Sequence, residues 1–116
     1  MNIQDLDTPV VLIEFDTMDR NLRRMASYCA AHNLTLRPHT KTHKIPEIAR
    51  LQMLYGAGGI TVAKVGEAEV MADAGLNNIV IVYPIWGERK WKRVVELAMR
   101  VKISIAMDSI QVAEGI

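Results

Sequence analysis

Short apolar runs rich in β-branched residues alternate along the chain with segments whose apolar residues recur every three or four positions, and this alternation constrains the fold more than any other feature. Val10 to Ile13 reads as a buried strand. Asp16 reads as the N-cap of a helix with Met18, Leu22, Met25, Ala26 and Cys29 on one face and Asn33 as its stop. Leu34 to Lys41 reads as a strand, Ile45 to Tyr55 as a helix with Pro46 in its first turn, and Ile60 to Lys64 as a strand. A helix over Gly66 to Ala74 is closed by Gly75, a natural left-handed cap. Asn78 to Tyr83 reads as a strand apolar on both faces, and Glu88 to Arg100 as a helix with Trp91, Val94, Val95 and Ala98 on one side. Val101 to Met107 is a further strand, and Asp108, followed by Ser109, opens another helix with Asp108 as its cap.

Strands apolar on both faces, set between amphipathic helices, imply a parallel sheet covered by helices. The strand ends fall near Lys41, Lys64, Tyr83 and Asp108, a regular spacing for βα units. An open doubly wound sheet and a (β/α)8 barrel share this pattern. A full barrel takes about 250 residues, and the chain has 116. The expected fold is therefore α/β, the N-terminal half of a (β/α)8 TIM-type barrel belonging to a longer chain; a complete small open sheet is the alternative.

Composition narrows the partners. Fourteen Lys and Arg against 13 Asp and Glu leave a net charge of +1, which gives no electrostatic case for nucleic acid or an anionic membrane. Cys29, the one cysteine, can form neither an internal disulfide nor a cysteine zinc site alone. No His-x-His, His-Glu-x-x-His or Cys-x-x-Cys pattern supplies a metal site. No apolar run approaches the roughly 20 residues of a membrane span, and Asn2, Gln4 and Asp5 do not read as a leader. A soluble, cytoplasmic setting is the expectation.

The chemistry concentrates in Arg37-Pro38-His39-Thr40-Lys41-Thr42-His43-Lys44. In parallel α/β folds, ligands gather at the C-terminal ends of the strands, where this segment falls. Period-2 alternation puts Arg37, His39 and Lys41 on one face. Lys41 at an interior barrel mouth would be sheltered from water and flanked by Arg37 and Lys44, which favours the neutral amine that attacks an aldehyde to form a Schiff base. A solvated lysine at a strand end is the plainer use. His39 shares the face of Lys41 and serves either a cofactor or an interior hydrogen bond. His43 lies on the loop beyond, as a substrate-side group or a solvated histidine, and His32 sits at a helix end where a cation suits the dipole. Arg37 suggests an internal ion pair with an acid, and Tyr83 reaches either the cofactor pocket or the barrel rim. Small Ala63, beside Thr61, leaves room for a ring; Trp86 and Trp91 read as packing residues, and Cys29 as buried and inert.

The string from Arg37 to Lys44 closely resembles the cofactor-lysine segment of the D-threonine aldolase and eukaryotic-type D-serine dehydratase group, fold-type III pyridoxal-phosphate enzymes related to alanine racemase. Leu6-Asp7-Thr8-Pro9-Val10 is similar to their entry segment, the stretch Gly59 to Glu69 to their second strand and helix, Ile79 to Pro84 to their third strand, and Ala106 to Ser109 to the end of their fourth. The resemblance implies a pyridoxal-phosphate-dependent lyase acting on D-3-hydroxy amino acids, by retro-aldol cleavage to glycine and an aldehyde or by dehydration. It makes Lys41 the Schiff-base lysine, beside which His39 and Tyr83, by their positions at the strand ends, are the candidate cofactor contacts. It also implies that residues 1–15 join a C-terminal β domain, that residues 16–116 begin the cofactor-binding barrel, that the phosphate and divalent-metal sites lie further along, and that the protein is a homodimer. The 116 residues alone are then expected to show little or no activity. An amino-acid racemase and a non-catalytic pyridoxal-phosphate homeostasis protein are the alternatives.

Overall fold

A computed structural model describes residues 2–115. After a 3₁₀ turn at Ile3–Asp5 the chain runs through α1 (Phe15–Ala31), α2 (Pro46–Leu54), β1 (Ile60–Val62), α3 (Val65–Asp73), β2 (Asn78–Ile81), α4 (Glu88–Ala98), β3 (Lys102–Ile105) and α5 (Ile110–Glu114). The strands form a parallel sheet in the order β1-β2-β3. Helices join each strand to the next, as parallel pairing requires. The parallel α/β architecture expected from the alternation is present.

Register fixes the two faces of the sheet. Ile60 pairs with Ile79 and Ile79 with Ile103; Val62 pairs with Ile81 and Ile81 with Ile105. These residues face the helices and build one core with Val65, Ala68, Met71, Val94 and Leu97; Ile60, Val62, Ile79 and Ile81 are fully buried. The in-register row Thr61, Val80 and Ser104 lies on the opposite face. Gly75, at φ +89°, closes α3 where a side chain would be strained, and the next amide, of Leu76, reaches back to the Met71 carbonyl.

Several expectations are corrected. Val10 to Ile13 forms no strand: it pairs with nothing among the described residues, and all four side chains are exposed. Glu14, not Asp16, caps α1, because its carboxylate accepts from the amides of both Asp16 and Thr17. Met25 stands outside the α1 stripe and is exposed. The inner face of α4 is Trp91, Val94 and Leu97, while Val95 and Ala98 face outward, a roll about the helix axis that periodicity alone does not fix. Ser109, not Asp108, caps α5, its hydroxyl accepting from the Val112 amide. The strands end earlier than expected, so Lys64 and Tyr83 lie in the loops that follow them.

Candidate active site

The segment Leu36 to His39 runs beside β1 without forming a regular strand. Pro38 has no amide hydrogen to donate, so pairing is reduced to a Gly58 amide bond to the Leu36 carbonyl, a Thr61 amide bond to the Pro38 carbonyl, and one parallel bridge between His39 and Thr61. That bridge extends the Thr61, Val80 and Ser104 row, so His39 belongs to the face away from the helices, as alternation predicted. Arg37 makes no ion pair with an acid among the described residues. Its guanidinium donates instead to the carbonyls of Ile60 and Asn78 (both 3.3 Å) and to Asn78 Oδ1 (3.1 Å), which ties this segment to the sheet.

Lys41 is not the last residue of a strand. The backbone turns one residue earlier, into a 3₁₀ turn over Thr40–Thr42. The Thr40 carbonyl accepts from both His43 (3.2 Å) and Lys44 (2.7 Å), and the buried Thr40 hydroxyl donates to the Thr61 carbonyl at 3.2 Å. The His39 ring caps the turn, its Nδ1 accepting from the Lys41 amide at 3.2 Å, so the neutral ring carries its hydrogen on Nε2. Burial, and then the nearby charge of Lys41, holds His39 below its ordinary value, with Glu67 opposing. The Lys41 side chain is exposed, and its amine makes no hydrogen bond or ion pair among the described residues. The sheltering expected for it is therefore not supplied by these residues: the sheet wraps only one side of the mouth.

His43 is not a solvated loop residue. Its Nδ1 accepts from the Ile45 amide at 3.0 Å, and its Nε2 is buried without a hydrogen-bond partner, as is Oε1 of Gln52. The first is a donor and the second an acceptor, on neighbouring side chains that face each other short of a full bond. Burial pushes the His43 ring below its ordinary value, and Gln52 opposes the fall. Tyr83 is exposed, at the mouth of a cleft of about 300 Å³ lined with Ala63, Lys64, Gly66, Ile81 and Lys90. Lys41 does not line that cleft, so Lys41 and Tyr83 share an end of the sheet without being brought together. His32 takes the expected helix-end position, stacked on Tyr28, and Cys29 is buried.

Glu67 carries a role that its sequence position hides. In the first turn of α3 it reads as a helix-dipole residue. In the structure its carboxylate folds back, accepting from the Ala63 amide at 2.9 Å while standing 3.5 Å from the Lys44 amine. Among the described residues no group of three His, Cys, Asp or Glu is placed to hold a metal, and no helix is long and apolar enough to cross a membrane.

Residues 13–116 match the family described as alanine racemase, N-terminal domain. The D-threonine aldolase of an Arthrobacter species is 38% identical over 104 residues, covering 90% of this chain and 27% of that protein. The D-threo-3-hydroxyaspartate dehydratase of a Delftia species is 35% identical over 112 residues, covering 96% of this chain and 29% of its own length. Among solved structures, the D-threonine aldolase of Filomicrobium marinum superposes with a TM-score of 0.95 at 40% identity, over 97% of this chain and 31% of that one. The chain thus spans 27% and 29% of the length of these two curated relatives.

Proposed function

The chain belongs to the alanine racemase N-terminal domain family, and from that membership we propose that the whole protein is a pyridoxal-phosphate-dependent lyase acting on D-3-hydroxy amino acids, with Lys41 holding the coenzyme. The observation that carries this reading is the Lys41 amine. It stands free of ion pairs and hydrogen bonds among the described residues, at the end of the sheet where parallel α/β folds place their chemistry. An unpaired amine fits condensation with the coenzyme's aldehyde; a lysine spent in a salt bridge would not.

When bound, the coenzyme supplies an electron sink for charge developing at the substrate α-carbon. The protein's own residues do the rest. Lys41 would anchor the coenzyme, and its Nζ, when free, would accept or release a proton. His39 holds the turn through Nδ1 and keeps Nε2–H as a donor on the inward face. Tyr83 offers a hydroxyl at the same end of the sheet. The coenzyme phosphate and a divalent metal would be held by parts of the protein outside these 116 residues, as would the partner surface of a homodimer.

Breaking Cα–Cβ gives glycine and an aldehyde; loss of the β-hydroxyl gives a keto acid and ammonia. Aldol cleavage is the favoured outcome. The D-threonine aldolases match at 38% and 40% identity, the solved one with a TM-score of 0.95, against 34% and 0.84 for the dehydratase structure, although the 3-hydroxy-D-aspartate aldolase of Paracoccus denitrificans matches at 29%. Dehydration is the second reading, carried by the dehydratase at 35% identity.

The test uses the full-length protein. Added pyridoxal phosphate should give a visible absorption band that Lys41→Ala abolishes, and D-threonine cleavage should fall by on the order of 10²–10⁴-fold or more. A band that survives the substitution moves the coenzyme to another lysine. Turnover of D-serine but not D-threonine, with and without divalent metal, would replace aldolase by dehydratase.

A further inference from the structure

We propose that Glu67 is a positioning residue for the Lys41 turn, acting through Lys44. The inference rests on the reading of Lys41 as the coenzyme lysine and names what holds that lysine in place.

Lys44 adopts φ +55°, a left-handed conformation that a residue with a side chain keeps only where its surroundings impose it. Two contacts impose it here. The Lys44 amide donates to the Thr40 carbonyl at 2.7 Å, closing the turn over Lys41, and the Lys44 amine stands 3.5 Å from Glu67 Oε1. Exposed ion pairs of this length usually contribute little. Here the Lys44 side chain is 60% exposed, but the Glu67 side chain is only 10% exposed and its other oxygen is already fixed, accepting from the Ala63 amide at 2.9 Å. One largely covered carboxylate therefore joins the residue that follows β1 to the residue that closes the Lys41 turn.

The second tether is the Thr40 hydroxyl on the Thr61 carbonyl. Lys41 lies between the two, so the turn is fixed to β1 on both sides of the residue that would react. Lys41 itself is exposed and makes no side-chain bond among the described residues, so its placement depends on the backbone of the turn. Small misplacement of a reacting group is expensive in rate. Neither His39 nor His43 duplicates this tether: His39 bonds within the turn, and His43 bonds to Ile45 at the start of the next helix.

Glu67→Gln keeps an oxygen for the Ala63 amide and removes the charge. Lys44→Met removes the cation and leaves Glu67 untouched. In the full-length protein, pyridoxal phosphate captured at Lys41 is trapped with borohydride and located by peptide mass spectrometry, and hydrogen exchange is followed across residues 40–45. Each variant should slow capture by about 10- to 100-fold and raise exchange in residues 40–45 alone, with the melting temperature nearly unchanged. The double variant should be no slower than the slower single one, because both remove the same interaction.

Wild-type capture and wild-type exchange in Glu67→Gln overturn the proposal. If Glu67→Gln loosens the whole chain, Lys44→Met decides: wild-type capture and exchange there show that Glu67 holds only the general fold. If the unaltered protein takes the coenzyme at another lysine, the functional reading fails. Local exchange in residues 40–45 then decides the tether separately, and unchanged protection in both variants sinks it too.

Discussion

His43 is a half-buried base whose protonation the fold resists, chiefly through burial. Unfolded, the ring takes up a proton near its ordinary value of 6.5; folded, it does so only at lower pH. Between those points the unfolded state binds more protons, so this stabilisation is present above pH 6.5 and is lost as pH falls through the folded value. His39, also held low by burial first, acts with the same sign. The melting temperature of the full-length protein should therefore drop between about pH 7.5 and about 5.5, and His43→Gln should flatten that drop. An unchanged slope in the variant would show that His43 does not titrate against its burial. Gly59 makes a steric prediction at the same scale. A Cβ there would run into the Arg37 guanidinium and lie 2.7 Å from the Asn78 carbonyl oxygen. Gly59→Ala should cost about 1–3 kcal/mol by denaturant titration. Gly66→Ala, in α3 with its nearest neighbour 3.6 Å away, should be neutral or stabilising by up to about 1 kcal/mol.

At the scale of elements, α5 is short enough for its cap to decide whether it forms. Ser109→Ala should cost about 1 kcal/mol and fray residues 110–114 in hydrogen exchange, whereas Asp108→Ala, which removes no cap, should leave them protected. The reverse result would return the cap to Asp108. Sequence made the order of strands and helices legible, because Ile60 to Val62, Ile79 to Ile81 and Ile103 to Ile105 leave apolar side chains no place but a covered sheet. It overran the strand ends, since Lys64 and Tyr83 continue the alternation although the ladder stops before them. It also misjudged the roll of α4, where Trp91, Val94 and Leu97 and the rejected set with Val95 and Ala98 are equally helical in spacing. The site divides the same way. The face that His39 takes was legible from alternation, whereas the turn that leaves Lys41 exposed was not, because the alternation runs on through Lys41 although the backbone turns at Thr40. Glu67 was not, because its partners, Ala63 and Lys44, meet it only once α3 has folded back over the end of β1.

The whole molecule is flat. Its extents are 51 × 40 × 24 Å and its radius of gyration is 16.5 Å, against about 13 Å for a compact domain of this length. The reason is that α3 and α4 cover one face of the sheet while on the other, among the described residues, Thr61 is buried beside the Thr40 turn but Ser104 stands exposed, and β3 has no further strand beside it. Val11 and Ile110 are 91% and 72% exposed, with Val10, Leu12, Ile13 and Met107 also open. An open parallel edge with exposed apolar side chains favours association. The 116-residue chain prepared alone should therefore sediment as oligomers. Placing lysine at Val11 and Ile110 together removes apolar surface without touching the core, so it should shift sedimentation toward monomer and leave helical circular dichroism unchanged. If the unaltered chain stays monomeric at about 100 μM, the uncovered face is self-sufficient and the flatness is a stable state of this segment rather than one wall of a larger barrel.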